Sequence, residues 1–252
     1  MGSIDFSVSN HVATIVLNNP AKRNAVDPPM RAGLEAAYAQ VRDNDDIHVA
    51  IIRGAGDLAF CSGGDIDAYN EHGAFGPDGA GVPAIPRPWP IWKPFIAAIS
   101  GYAVGGGFAL ALACDLRVVG KNAVIGPSGL RRGAVQGAQQ SQRLTRLIGV
   151  SKALELLLLS KYVSGTEAAA MGLAQAVVED GEVFNAALEW ANTIAGYSPY
   201  AVSKTKQLAY EGLHLSLHDA FALEAEVMTE SYRRPEALEG FSAVSRPGKP
   251  KL

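Results

Sequence analysis

Apolar and polar positions alternate from Ile4 to Val8, and a denser apolar run follows from Val12 to Leu17, with Ser9-Asn10 between them. This pattern predicts a β-hairpin, which Asn18-Asn19-Pro20 ends. After a loop carrying Lys22, Arg23 and Asn24 the period lengthens. Met30, Leu34, Ala37 and Val41 fall on one face of a helix that Asp27 caps and Pro28 opens, running to about Arg42. Val49 to Ile52 reads as a buried strand. The pattern recurs with a strand over Phe95 to Ile99, a helix over Gly106 to Cys114 and a strand over Leu116 to Val119. Short strands with intervening helices indicate an α/β core of ββα turns.

Gly and Pro accumulate between His72 and Pro94, through Gly73, Gly76, Pro77, Pro83, Pro86, Pro88 and Pro90. A loop of that length inside a compact domain is expected to be functional or disordered. Beyond Gly149 the pattern predicts helices almost throughout: Ser151 to Leu159, Gly165 to Met171, Val183 to Ala195, and others after Ser198-Pro199 and Ser216. The last of these present Phe221, Leu223, Val227 and Met228 as one apolar stripe. The expected organisation is a core over residues 1–195 and a helical C-terminal segment over 196–252.

Composition narrows the class. At 252 residues, 48% hydrophobic and 19% charged, the chain can build a sizeable core. The formal charge of -3, with Lys and Arg dispersed among Asp and Glu, gives no field for nucleic acid or an anionic membrane. A phosphate-bearing ligand would need local cations. Cys61 and Cys114 lie in apolar or Gly-rich stretches and are expected as buried thiols in a reducing compartment. Residues Met1 to Asn10 lack a basic segment followed by an apolar one, and the longest apolar stretches are too short to span a bilayer, so a cytoplasmic protein is expected. His11, His48, His72, His214 and His218 have no metal-ligand spacing, and no metal is expected.

Two strings carry candidate chemistry: Phe60-Cys61-Ser62-Gly63-Gly64-Asp65-Ile66, and Gly101-Tyr102-Ala103-Val104-Gly105-Gly106-Gly107-Phe108-Ala109. Each places a Gly-rich turn between a strand and a helix. Such turns let a ligand approach the main chain, and the helix beyond offers unpaired N–H donors. Alone, either is more commonly a tight connection; together they could aim two N–H groups at one oxygen. The dinucleotide fingerprint fails, because Leu110 stands where a third small residue belongs. Gly126-Pro127-Ser128-Gly129-Leu130 likewise lacks the final glycine of a nucleophile elbow.

Taken in order, these strings resemble the enoyl-CoA hydratase/isomerase (crotonase) family over nearly the whole chain. Asn19-Pro20-Ala21-Lys22-Arg23-Asn24-Ala25 is similar to the family's CoA-binding loop, and Phe60 to Ile66 and Gly101 to Asp115 to its two oxyanion segments. Ser141-Gln142-Arg143-Leu144, Ala168 to Ala174 and Glu239-Gly240-Phe241-Ser242-Ala243 match later landmarks. The resemblance implies a spiral of ββα turns, a C-terminal helical trimerisation segment, and a homotrimer or hexamer. It implies an acyl-CoA or enoyl-CoA substrate, with CoA entering as part of that substrate and no covalently bound cofactor. The oxyanion donors fall on the N–H groups of Gly64 and Gly106. Main chain around Ala25, Ser62 and Gly63 would hold the adenine end of CoA, with Lys22 or Arg23 near its phosphates. Asp65, Ile66, Gly105, Ala109, Ser128, Gly129 and Arg131 complete the expected substrate-binding set.

The sequence departs from the pattern where the family's hydratases carry two glutamates, one acting on water and one on the α-carbon. Those positions hold Ala109 and Gly129. Asp67 and His72 are the candidate replacements, on the helix after the first oxyanion segment, although a solvated helix face reads equally well. Arg131 and Arg132 adjoin Gly129 and would suit a carboxylate on the substrate or an exogenous anion. Gln136 stands where some relatives carry a working carboxylate. The reaction stays open across hydration, isomerisation, thioester hydrolysis and C–C cleavage, and a non-catalytic acyl-CoA-binding protein is the alternative. Glutamates introduced at both Ala109 and Gly129 are expected to raise hydration.

Overall fold

The computed structural model describes residues 1–72, 81–83, 85 and 91–244. Most of the Gly- and Pro-rich stretch before Pro94 lies outside them. The chain folds as two compact units, Met1–Ala195 and Gly196–Leu252.

The first unit opens on the antiparallel hairpin β1 (Ser3–Ser9) and β2 (Val12–Asn18). Its two-residue turn places Asn10 and His11 at φ 49° and 64°, the hand that matches strand twist. There follow α1 (Pro28–Asp43), β3 (Val49–Gly54), β4 (Ala59–Cys61), α2 (Ile66–His72), β5 (Phe95–Ile99), β6 (Tyr102–Val104), α3 (Gly106–Ala113), β7 (Leu116–Gly120) and β8 (Val124–Gly126). Then come α4 (Gln140–Ile148), α5 (Val150–Leu158), β9 (Val163–Ser164), α6 (Gly165–Ala170), β10 (Ala176–Val178) and α7 (Val183–Ala195). A six-stranded sheet runs β1-β2-β3-β5-β7-β10 and a four-stranded one β4-β6-β8-β9. Each repeat sends one strand to each sheet: β3 then β4, β5 then β6, β7 then β8. That is the spiral of ββα turns.

The expectation of helix beyond Gly149 misses β9 and β10. They are two and three residues long, too short to show a period, and they form the last strands of the two sheets by pairing with β8 and β7. For the same reason β4, β6 and β8, three residues each, are invisible to pattern.

The large sheet is buried on both faces, so its central strands are apolar without alternation. Ala50, Ile52, Phe95, Ala97 and Ile99 belong to the main core with α1 and α3. Val49, Ile51, Ile96, Ala98 and Val118 pack on the other side against α7. That helix offers Val183, Ala187, Ala191 and Ala195 at a spacing of four, and its alanines let it lie close to the sheet. Arg117 of β7 is buried in this unit. Its guanidinium donates to the carbonyls of Ala111 (3.2 Å), Cys114 (2.7 Å) and Leu173 (2.7 Å), tying the end of α3 to β7 and to the residues after α6. Both cysteines are buried.

The second unit contains α8 (Pro199–Glu211), α9 (Leu217–Tyr232) and α10 (Pro235–Val244). Ser198 and Ser216 cap the first two through the N–H groups of Ala201 and Asp219. Arg234 lies over the ring of Tyr200 at 3.9 Å, and Tyr232 meets Phe241 edge-on at 5.7 Å. Nothing on α8 or α9 is buried, and Leu217, Phe221, Met228 and Tyr232 stay exposed. No helix of the described residues is long and apolar enough to cross a membrane.

Candidate active site

Two strand-to-helix turns meet in the first unit. The earlier one is laced to the loop before α1 by main-chain bonds: Ser62 N donates to Arg23 O (3.1 Å), Val26 N to Gly63 O (2.8 Å) and Asp65 N to Val26 O (2.9 Å). These bonds use the groups on either side of Gly64. In an extended segment alternate N–H groups face opposite ways, so the N–H of Gly64 is turned away from Val26. On that far side lies the second turn. A Cβ placed on Gly106 would stand 3.4 Å from the Gly64 nitrogen, and one on Gly63 would stand 3.1 Å from the Gly106 nitrogen. Gly106 is the first residue of α3, so its N–H has no carbonyl within the helix to bond.

Glycine is required here for space as well as for conformation. Gly63 sits at φ 107°, and a Cβ on Gly107 would collide with the carbonyl oxygen of Cys61. The first turn of α3 therefore rests directly on β4. Burial pushes the Cys61 thiol up to about 12 despite the opposing backbone bond from Gly63, so it stays neutral. Val82 covers the other side of Gly106, its Cγ2 2.9 Å from where a Cβ would be. The neighbours of Val82 are anchored from α1, with Arg31 donating to Gly81 O (3.3 Å) and the Tyr38 hydroxyl to Pro83 O (3.3 Å).

The third wall is the segment from Ser128. Ser128 is buried, and its Oγ lies 2.6 Å from where a Cβ on Gly105 would be. Ala109, one turn into α3, is buried too. Gly129 has ordinary helical dihedrals (φ −60°, ψ −48°), yet a Cβ there would meet Gln136 Oε1 at 2.9 Å and the carbonyls of Ala134 and Val135 at 3.0 Å. Gln136 explains that crowding: its Oε1 accepts from Gly129 N (2.8 Å), and its Nε2 donates to Ser160 Oγ (3.0 Å) and Leu157 O (3.3 Å).

A model of the enoyl-CoA hydratase/isomerase family matches residues 7–250. The chain belongs to that family. It is 36% identical over 250 residues to the (E)-benzylidenesuccinyl-CoA hydratase of Thauera aromatica, covering 97% of each chain. It is 30% identical to the short-chain-enoyl-CoA hydratase of Clostridium acetobutylicum, covering 92% of this chain and 90% of the relative. Among solved structures, an enoyl-CoA hydratase from Mycobacterium tuberculosis H37Rv superposes with a TM-score of 0.88 at 29% identity, covering 99% and 98% of the two chains. The fold is the crotonase fold.

Several of the expected site side chains already have partners within the fold. Lys22 is not a free cation for a phosphate: its ammonium bridges Asp65 (2.7 Å) and Asp67 (2.8 Å), which hold it above its usual range. Burial works to raise the Asp65 carboxyl, but the Lys22 ammonium and the N–H groups of Asp67 and Ala68 outweigh it and keep the group below the usual carboxylate range. Asp67 is 76% exposed at its side chain and bound to Lys22. The side chain of His72 lies outside the described residues. Arg23 does lack a carboxylate partner among the described residues; it lies over the ring of Tyr102 at 5.0 Å. Arg131 is already engaged, donating to Ser160 O (2.6 Å) and stacking on Tyr162 at 4.3 Å.

Sequence reasoning missed three positioning roles. Asn24 is buried and ties its loop to Ala55 O (3.1 Å) and Ala59 O (2.7 Å), while its Oδ1 accepts from Asn19 N (3.0 Å). A polar residue at φ 55° inside a turn was the available signal. Gln136 was visible only as a neutral amide, and Val82 only as one residue of a Gly- and Pro-rich stretch.

Proposed function

We propose that this protein binds an enoyl-CoA thioester and adds water across its α,β double bond, through an enolate whose oxygen is held between the N–H groups of Gly64 and Gly106. Water oxygen bonds to the β-carbon and loses a proton, the π pair moves to place charge on the thioester oxygen, and the α-carbon then takes a proton. The observation that carries this reading is the approach of Gly64 N to Gly106, with the N–H of Gly64 turned from Val26 and that of Gly106 free of any helical partner. Two such donors in a water-poor site contribute about 3 kcal/mol each to the developing oxyanion.

Ala25, Ser62 and Gly63 supply the main chain for the adenine end of CoA, and Arg23, in place of Lys22, is the cation for its phosphates. Ala109 and Gly129 take the places of the two proton-transferring glutamates. The Thauera aromatica relative is named for a succinyl-derived acyl group. That supports a reading in which a short straight-chain enoyl group is not the fitted substrate. The exposed stripe of α9 supports assembly as a homotrimer or hexamer through the second unit, which sedimentation of the full chain tests. The two cysteines, both buried, fit a cytoplasmic setting.

Calorimetric titration with acetyl-CoA is the first experiment, and saturable binding that free CoA competes away is expected. Absence of binding at millimolar ligand overturns the assignment. Crotonyl-CoA hydration, followed as loss of the conjugated thioester absorbance, is expected to be slow. Each positioned acid or base contributes about a hundredfold to ten-thousandfold, and both usual positions lack one. A rate rivalling efficient hydratases would show that another side chain moves the protons. The competing reading, an acyl-CoA binder without chemistry, predicts binding with no turnover of any enoyl-CoA.

A further inference from the structure

We infer that the acyl group accepted at this site carries a carboxylate of its own, and that Arg132 is the residue that recognises it. The inference rests on the proposal that the site takes a CoA thioester. Arg132 Nη1 donates to Ser128 Oγ at 2.8 Å, and that oxygen is packed against Gly105, the residue before the proposed oxyanion donor Gly106. One buried hydroxyl therefore separates the guanidinium from the turn where the thioester carbonyl would sit. The backbone under it is fixed as well: Arg132 N bonds to Gly129 O (2.9 Å), and Gly129 N is held by Gln136.

Charge decides what the guanidinium is for. Arg131 gives one donor, Nη2, to Ser160 O and its face to Tyr162; Arg132 gives Nη1 to Ser128, and its Nε and Nη2 groups have no partner among the described residues. No carboxylate among them pairs with either arginine, and the two nearby positions where the family's hydratases carry glutamate are Ala109 and Gly129. The result is an exposed positive charge, hydrogen-bonded to the buried Ser128 of the site, without a counter-ion among the described residues. A guanidinium presents its donors as a planar fork that matches a carboxylate, so the complementary ligand is a second acid group on the acyl chain.

The test is calorimetric titration of the full chain with succinyl-CoA and butyryl-CoA, which have four-carbon acyl groups ending in a carboxylate and a methyl. A charge-assisted hydrogen bond contributes enough for succinyl-CoA to bind about tenfold or more tightly. Arg132→Gln is expected to bring the ratio of the two affinities close to one. Arg132→Lys should restore part of it. Equal binding of the two thioesters by the wild-type protein overturns the inference while leaving thioester binding standing; binding of neither overturns both. If bicarbonate tightens butyryl-CoA and succinyl-CoA has no advantage, the anion at Arg132 is a free one, and the inference is wrong.

Discussion

The two glycine turns and the segment from Ser128 to Gln140 form adjoining walls of one site, but they are built on different principles. In the turns, main chain packs on main chain: the first turn of α3 sits on the carbonyl of Cys61, and Val26 is bonded to both sides of Gly64. Main-chain packing sets the relation of the Gly64 and Gly106 nitrogens, with Asn24 and Val82 supporting it from outside. The later segment is exposed over much of its length, with Val135 at 87%, and side chains hold it: Gln136 on Gly129, Arg132 on Ser128, Arg131 on Ser160. A wall made of backbone presents the same pair of donors whatever the surrounding side chains. A wall made of side chains can change its chemistry by substitution, and in this chain it carries Arg131 and Arg132 beside Gly129.

Methyl groups break the comparison most directly. Gly107→Ala drives a Cβ into the Cys61 carbonyl, and loss of about 3 kcal/mol or more, or failure to fold, is expected. Gly133→Ala adds the same atom to the later wall, where nothing lies within 4 Å, so only the strain of its φ of 70° remains, about 1 kcal/mol. Urea denaturation of both variants measures the difference, and equal losses would show that the two walls are not distinguished by backbone packing.

Gln136 sharpens it. Gln136→Ala removes the acceptor from Gly129 N and the donors to Leu157 and Ser160, and about 1–3 kcal/mol of stability is expected to go with it. The same change makes room at Gly129. The double replacement Ala109→Glu with Gly129→Glu is therefore expected to gain little crotonyl-CoA hydration while Gln136 is present. With Gln136→Ala added, it should gain about tenfold or more. A full gain from the double replacement alone would mean that the Gly129 segment yields easily and that its crowding is unimportant.

The smallest effect lies in acid. Because the Asp65 carboxyl is held below its ordinary value, its stabilisation is complete above the unfolded value of about 4 and disappears as pH falls through the lower folded value. Asp65→Asn is expected to lower stability at neutral pH and to flatten the acid limb of a stability–pH curve relative to the wild type. Parallel acid limbs would mean that the Lys22 bridge does not couple the carboxyl to folding.

Much of the fold was legible because hydrophobic period reports burial directly. The hairpin, α1 from its Asp27 cap, β3, β5, α3, β7 and α7 all show runs long enough to display a period or an unbroken apolar stretch. The ordered Gly-rich strings likewise marked the two strand-to-helix turns that the fold packs against each other, because main chain in such close contact leaves no space for a Cβ. The long elements and the family were thus legible in the chain itself. Tertiary structure alone decided that three-residue strands build a second sheet, because pairing partners distant in the chain stabilise segments too short to declare themselves. It also decided the state of the charges: Lys22 is consumed by Asp65 and Asp67, which stand 43 and 45 positions away, while Arg132 gives Nη1 to Ser128 and has no carboxylate partner among the described residues. Gly129, finally, reads as a vacancy in the sequence and is a filled space in the fold, because Gln136, seven positions on, turns back to occupy it.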